Sequence, residues 1–300
     1  MTQNARLGIA YMIATSLIFS AQDGISRHLS ETYNVFVVNM LRYWFFAIFV
    51  LILAASRQGG ISKVARTDQL WLHGLRGLLL IVETLMVIWA FTKIGLAESH
   101  AIFAAYPLIA AAYSVPILGE RVGWRRWLAI GFGFLGVLVI LQPGVQVFSP
   151  VSLVALLAAA MFAMYTILTR LASRKDSAQT NFFYTGVTGA IFTTMIGLFH
   201  WQVFSAPDYV WMLCLCITGA TGHFWLIRAV ELADASTVQP FAYLQLVFAS
   251  AIGIVVFKET IDQSMVVGAA MIVGAGIFTI WRARVAQFRE RSSRNLMSGA

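Results

Sequence analysis

The chain has 300 residues, of which 59% are hydrophobic and 11% are charged, and its formal net charge is +8. Soluble domains carry roughly 25% charged residues, so this composition excludes a soluble globular protein and indicates a multi-pass membrane protein. The basic residues are not interleaved with aromatic residues in any polar segment, and we therefore expect no nucleic-acid partner.

Apolar segments follow one another along the whole chain, separated by short polar or charged connections. A helix needs about 20 mainly apolar residues to cross the hydrocarbon core of a bilayer. The sequence therefore predicts an all-α polytopic membrane protein with ten transmembrane helices. The predicted spans are 7–28, 35–55, 70–91, 99–118, 125–141, 151–172, 181–200, 209–230, 236–257 and 263–283.

Basic residues concentrate in alternate connections, for example at 57–66 and 170–175, and in the last residues of the chain. Cytoplasmic loops of membrane proteins carry an excess of Lys and Arg. We therefore predict that both termini are cytoplasmic and that the protein lies in a bacterial-type inner membrane. We interpret 285–300 as a basic cytoplasmic tail that contacts anionic lipid.

The two halves of the chain contain matching residues at equal spacing. Phe19 precedes Arg27 by 8 residues, and Phe162 precedes Arg170 by 8 residues. Such matches indicate an internal repeat. Five helices per repeat would place the second repeat upside down relative to the first. The predicted units are a first repeat at 1–146, a second repeat at 147–284 and the tail at 285–300.

The ends of the fourth and ninth spans resemble those of a known superfamily. Leu118-Gly119-Glu120-Arg121 closes the fourth span, and Lys258-Glu259 closes the ninth. With ten spans in two halves, the chain resembles the EamA type of the drug/metabolite transporter superfamily, and its layout is similar to YddG-type amino-acid exporters. The resemblance implies alternating access and export of amino acids, including aromatic and other apolar ones. Leu246 stands where the superfamily usually has proline, so we expect the ninth helix to be straighter.

Four charged residues fall clearly within predicted spans, and they are Asp23, Arg42, Arg76 and Glu83. Each costs roughly 2.5–3.5 kcal/mol near the centre of a membrane helix, so we expect them to pair or to face water. Their depths favour a pair between Arg42 and either Glu83 or Asp23. A structural ion pair and a role in substrate binding or gating both remain open.

Polar and aromatic residues form stripes on two predicted helices. His100, Phe103 and Tyr106 follow helical spacing in the fourth span, and Tyr243 lies on a similar stripe in the ninth. Such a wall either lines a cavity or packs between helices. We interpret His223 as a packing residue. The candidate substrate-binding residues are Gln22, Asp23, Arg42, Arg76, Glu83, His100, Phe103, Tyr106, Tyr165, Trp225, Tyr243 and Gln245.

The sequence favours a secondary transporter of a small molecule. It contains no Gly-rich phosphate loop, so ATP cannot drive transport by this chain alone. Carboxylates that face the cavity without an Arg partner would favour cations, and an Arg facing the cavity would favour a carboxylate. The rival substrates are a nucleotide-derived compound or a cationic drug. The rival classes are a membrane scaffold and an intramembrane enzyme.

We expect no catalytic residues, no metal site and no cofactor. Cys214 and Cys216 are interpreted as reduced packing residues. Glycines in the fifth and tenth spans allow close helix contacts, either within the bundle or between chains, so a monomer or a weak homodimer is expected. Gly24, Pro107, Gly219, Gly222 and Pro240 are candidate bending points.

Overall fold

The computed structural model describes residues 3–120, 123–141, 149–233, 235–278 and 281, and no strand occurs among them. The helices of the first half follow the predicted spans closely. They are α1 (Gln3–Thr32), α2 (Val35–Ala55), the short α3 (Gly60–Val64), α4 (Leu70–Ile94), α5 (Leu96–Phe103), α6 (Tyr106–Leu118) and α7 (Trp124–Leu141).

The second half contains a corresponding series of helices. These are α8 (Pro150–Ala172), α9 (Ala178–Gly197) with a 3-10 turn at Leu198–His200, α10 (Asp208–Leu232), α11 (Ala235–Val238), a 3-10 segment at Gln239–Tyr243, α12 (Leu244–Val255) and α13 (Gln263–Phe278).

The all-helical membrane class is confirmed. Six helical segments are long and apolar enough to cross a bilayer, and three shorter apolar helices accompany them. The six are Val35–Ala55, Leu70–Ile94, Leu96–Leu118, Pro150–Ala172, Ala178–His200 and Asp208–Leu232. The count of ten spans and the inverted relation of the halves stay predictions. Arg121 and the predicted tail at 285–300 lie outside the described residues.

Local sequence explains several helix ends. The Asn34 side chain accepts a hydrogen bond from the Phe36 backbone N–H, and Ser177 accepts one from Thr180, so both residues cap helix N-termini. Gly119 ends α6 in the left-handed conformation, with φ of 72°, which glycine adopts without steric cost. The Leu-Gly-Glu motif is thus a helix C-cap.

The fourth and ninth predicted spans are both interrupted. The fourth breaks between Phe103 and Tyr106, just before Pro107. The ninth changes to 3-10 geometry at Gln239–Tyr243, so the expectation of a straighter ninth helix is wrong. Pro240 lies within that segment, and proline lacks the N–H that a regular α-helix requires.

Two serines fix α1 beside the interrupted ninth span. Ser16 Oγ lies 3.3 Å from the Phe241 carbonyl, and Ser20 Oγ lies 3.0 Å from the Gln245 carbonyl. Each hydroxyl shares its hydrogen between that carbonyl and one within α1, at 3.0 and 2.9 Å. Both serines are buried. These bonds set the register between α1 and α12, which places Gln245 next to the polar residues of α1.

Glycine contacts join the flanking helices and the exterior is apolar. Gly136 of α7 and Gly268 of α13 face each other so closely that a Cβ on either would meet the backbone of the other. These glycines therefore pack within one chain.

Trp71, Leu128 and Phe199 are exposed on the outside, as expected for a surface in contact with lipid.

Candidate functional site

A small cavity lined by polar and aromatic residues lies within the bundle, among helices from both halves of the chain. Seven of the twelve candidate residues line it, together with aromatic and aliphatic neighbours. The wall consists of Phe19, Gln22 and Asp23 of α1, Arg42 of α2, Leu80, Glu83, Thr84, Val87 and Ile88 of α4, His100 and Phe103 of α5, Phe162 of α8, His223 of α10 and Gln245 of α12. We call this space the central cavity.

Asp23 is the centre of a polar cluster on the wall of the central cavity. Its Oδ2 accepts a hydrogen bond from Gln245 Nε2 at 3.1 Å and lies 3.1 Å from His100 Nε2. The three side chains come from α1, α12 and α5, and each is at most 9% exposed. Residues far apart in the sequence therefore converge on one carboxylate.

Arg42 also lines the wall, and it makes no ion pair with a carboxylate among the described residues. Both of its terminal nitrogens are buried and make no hydrogen bond among the described residues, although the guanidinium lies 4.9 Å from the centre of the Tyr43 ring. The predicted pair with Asp23 or Glu83 is therefore wrong. Asp23 is bound by Gln245 and His100 instead, and Glu83 accepts a bond from Thr84 Oγ1 at 3.3 Å.

Aromatic rings form the apolar part of the wall. Phe19 contacts His223 and Phe162 with ring centroids 5.1 and 6.3 Å away. Phe103 lies 5.5 Å from Phe162 and 6.1 Å from His100. Edge-to-face and tilted contacts of this kind fix the rings in place, and they leave faces on which a planar group could stack.

Arg76 is a candidate residue that lies outside the central cavity. Its Nε donates to Thr169 Oγ1 at 3.0 Å and its Nη1 donates to Asn181 Oδ1 at 2.7 Å. The same nitrogen lies 2.9 Å from His73, whose other ring nitrogen lies 3.0 Å from Asp176. Arg76 thus belongs to a buried network that joins α4, α8 and α9.

Four further candidates also lie outside the cavity wall. Tyr106 and Tyr165 pack behind Phe162, at centroid distances of 5.0 and 5.9 Å. Tyr243 packs so closely on Gly276 that a Cβ there would overlap its ring. Trp225 is partly exposed on α10. These residues support the bundle behind the wall.

Sequence reasoning missed His223 and two phenylalanines as cavity residues. Phe19 and Phe162 served only to mark the repeat, and His223 was interpreted as a packing residue. Its Nδ1 is buried and makes no hydrogen bond among the described residues. The equal spacing of Phe19 and Phe162 was the available signal, because repeat-related residues meet at the central axis.

The central cavity holds about 40 Å³ accessible to the centres of water molecules. Sites for small molecules usually measure roughly 300–1,000 Å³, so the surrounding helices would have to separate before a metabolite could enter. Its charged groups are two carboxylates and one guanidinium. No group of three or more His, Cys, Asp or Glu residues suitable for a metal occurs in the described part of the chain.

The profile of the EamA-like transporter family matches the sequence twice, at residues 6–142 and 149–281. The chain belongs to the EamA-like transporter family. This membership confirms the resemblance to the drug/metabolite transporter superfamily, and it excludes none of the candidate metabolites. With its apolar helical spans, this EamA-like chain is a multi-pass protein of the bacterial inner membrane.

Relatives of this EamA-like chain are named as transporters of different molecules. An S-adenosylmethionine uptake transporter of Rickettsia prowazekii is 28% identical over 91% of this chain and 92% of its own length. A riboflavin transporter of Vibrio cholerae is 28% identical over 95% of this chain and 96% of its own length. A pseudopaline exporter of Pseudomonas aeruginosa is 23% identical over 90% and 94%.

A crystal structure also shares this fold. It superposes with a TM-score of 0.67, covering 95% of this chain and 99% of the other, at 18% sequence identity. The agreement over nearly the full length of both chains supports the helical arrangement described above. At this identity the likeness concerns the fold alone.

Proposed function

We propose that this EamA-like protein transports a zwitterionic metabolite that joins an amino-acid head group to a heterocyclic ring, with S-adenosylmethionine as the representative substrate. The observation that carries the proposal is the unpartnered guanidinium of Arg42 in a cavity that also contains Asp23 and Glu83. A carboxylate of the substrate would bind Arg42, and its cationic groups would bind the two acidic residues.

The charges favour a molecule that carries both signs. A buried guanidinium without a partner is costly, and a substrate carboxylate would supply charge-assisted hydrogen bonds to it. The acidic residues would stabilise an ammonium or sulfonium group in the same way. Phe19, Phe103 and Phe162 provide apolar faces for a planar ring.

One of the named relatives supports this substrate class. The Rickettsia relative is named for S-adenosylmethionine, which carries a carboxylate, an ammonium, a sulfonium and an adenine ring. S-adenosylmethionine belongs to both substrate classes considered from the sequence, because it is an amino acid and also a nucleotide-derived cation. Amino-acid export, predicted from the sequence, becomes one outcome of the test below. The relatives include uptake and export proteins, so we propose no direction.

The mechanism we propose is alternating access by two inverted five-helix repeats, at 1–146 and 147–284. The central cavity contains residues from α1, α2, α4 and α5 of the first repeat and from α8, α10 and α12 of the second. Movement of one set of helices against the other would open this space to each side in turn. Substrate gradients or ion gradients would supply the energy.

The test is counterflow in proteoliposomes. Vesicles loaded with unlabelled S-adenosylmethionine are given labelled S-adenosylmethionine outside, and parallel samples use phenylalanine, methionine and riboflavin. We expect saturable accumulation of S-adenosylmethionine. Accumulation of phenylalanine or methionine but not of S-adenosylmethionine would contradict the proposal and indicate a simple amino-acid transporter. Accumulation of riboflavin alone would contradict the proposal that the substrate is zwitterionic.

Arg42 provides the decisive variant. Arg42→Gln should raise the half-saturating concentration of S-adenosylmethionine roughly ten-fold or more, because a charge-assisted hydrogen bond is lost. Arg66→Gln is the matched control, since Arg66 is exposed in the connection before α4. This variant should transport S-adenosylmethionine normally. Equal transport by both variants would exclude Arg42 from the site.

A further inference from the structure

A second cavity lies at the end of the bundle that carries the basic connections 57–66 and 170–175. It holds about 430 Å³, which falls within the range of small-molecule sites. Its wall includes Tyr11, Phe182, Phe183 and Phe224, with Arg57 and Arg228 among the lining residues. We call this space the vestibule.

The vestibule lies directly beyond the central cavity along two helices. On α2, Arg42 lines the central cavity and Val50 lines the vestibule, with Phe46 midway between them. On α10, His223 lines the central cavity and Phe224 lines the vestibule. Arg42 and Val50 are about two turns apart on α2, and His223 and Phe224 are consecutive on α10, so both helices contribute to both spaces.

One aromatic layer separates the two spaces. Phe46 lies 4.8 Å from Phe182 and 6.0 Å from His223, measured between ring centroids. Phe182 in turn lies 5.2 Å from Phe224. The rings therefore form a continuous series of contacts from the vestibule to the central cavity, with Phe46 and Phe182 in the middle of it.

We propose that the vestibule is a second binding site for the transported substrate, which holds its heterocyclic ring before the Phe46–Phe182 layer opens. This inference rests on the proposed function. Aromatic edges and faces bind planar rings, and Arg57 would attract the carboxylate. Arg228 is already paired with Glu231 at 2.5 Å, so Arg57 is the cation assigned to the substrate.

The first test is photolabelling of the full chain in lipid nanodiscs with an 8-azidoadenine analogue of S-adenosylmethionine. We expect labelled residues on α9 and α10 around the vestibule, and excess S-adenosylmethionine should abolish this labelling. Protected labelling confined to the wall of the central cavity would overturn the vestibule site and leave the proposed function intact. Labelling that S-adenosylmethionine does not reduce at either place would overturn both.

The second test measures transport from the side on which the vestibule opens. Phe224→Ala should raise the half-saturating concentration from that side roughly three- to ten-fold, as expected for loss of one stacking contact, and leave the other side unchanged. Phe199→Ala is the matched control because Phe199 is 86% exposed and lines neither cavity. Arg57→Gln tests the same site at an exposed position if Phe224→Ala does not fold. An equal rise from both sides would overturn the vestibule site.

Discussion

Glu259 shows how one side chain can connect three parts of the bundle. Its carboxylate accepts the backbone N–H groups of Leu96 at 2.7 Å and Ala97 at 2.8 Å, and it pairs with Arg27. A carboxylate at a helix N-terminus is favourable because it binds orphan N–H groups and complements the helix dipole. The neighbouring Lys258 donates to the Val255 carbonyl at 2.9 Å and makes no ion pair with Glu259 among the described residues.

We predict that Glu259→Gln lowers the free energy of unfolding by about 1.5–3 kcal/mol, because hydrogen bonds to a charged group are lost. The measurement is thermal unfolding of the detergent-purified protein. Glu31→Gln is the matched control, since Glu31 also pairs with Arg27 but is 47% exposed on the same helix. Such a pair contributes about 0.2–0.5 kcal/mol. Equal shifts in the two variants would exclude the capping role.

Individual residues were predictable from sequence only where burial is costly. Charge within an apolar span identified Asp23, Arg42 and Glu83, and all three line the central cavity. Arg76 met the same criterion but belongs to a network with His73 and Asp176. The sequence could not show this, because the partners come from distant segments of the chain. The residues assigned to the cavity stay candidates for substrate binding until transport is measured.

At the scale of helices, glycines decide how closely α2 and α9 approach. A Cβ at Gly189 would overlap the ring of Tyr43, and one at Gly186 would meet Phe46 and Val50. Phe46 is also part of the layer between the cavities. Close packing therefore couples the position of this ring to α9, since well-packed interfaces transmit displacement.

We predict that Gly189→Ala destabilises the protein by about 1–3 kcal/mol, the usual cost of overpacking a filled site. The fraction of protein that stays monodisperse after graded heating provides the measurement. The control is Gly74→Ala on α4, where a Cβ would have no atom within 4 Å, so helix propensity alone would act and stability should hold or rise. A similar loss in both variants would show that the Tyr43 contact is not responsible.

Helix positions were predictable because long apolar runs bounded by polar residues leave few alternatives. The interruptions were less accessible. Pro107 correctly indicated the break in the fourth span, yet the ninth was expected to be straight because Leu246 replaces a proline. Pro240, which the sequence also offers as a candidate bending point, lies in the 3-10 segment that interrupts the ninth span, so the expectation drawn from Leu246 neglected a proline six residues earlier.

For the whole molecule, the two ends of the bundle differ in charge and in the cavity that each carries. The vestibule, with Arg57 and Arg228, lies at the basic end. A third, polar cavity of about 600 Å³ is lined by Arg27, Glu98 and Glu259, among others, on helices α1 and α5 and in the connection after α12. Helices α1 and α5 contribute to both this third cavity and the central cavity, and α1 also contributes Tyr11 to the vestibule.

The sidedness of the bundle follows from the same charges. Ser62 lies exposed in the basic connection, and Val203 is 78% exposed in the connection between α9 and α10. We predict that Ser62→Cys and Ser298→Cys react with a membrane-impermeant maleimide only from the cytoplasmic side and Val203→Cys only from the opposite side. Each variant is made in a background with Cys214→Ala and Cys216→Ala.

If ten helices span the bilayer, eight crossings separate Ser62 from Ser298, and the two cysteines lie on the same side. An odd number of crossings would place them on opposite sides. Labelling of Ser298→Cys from the non-cytoplasmic side would therefore contradict ten spans, and reversal of all three would contradict the positive-inside orientation.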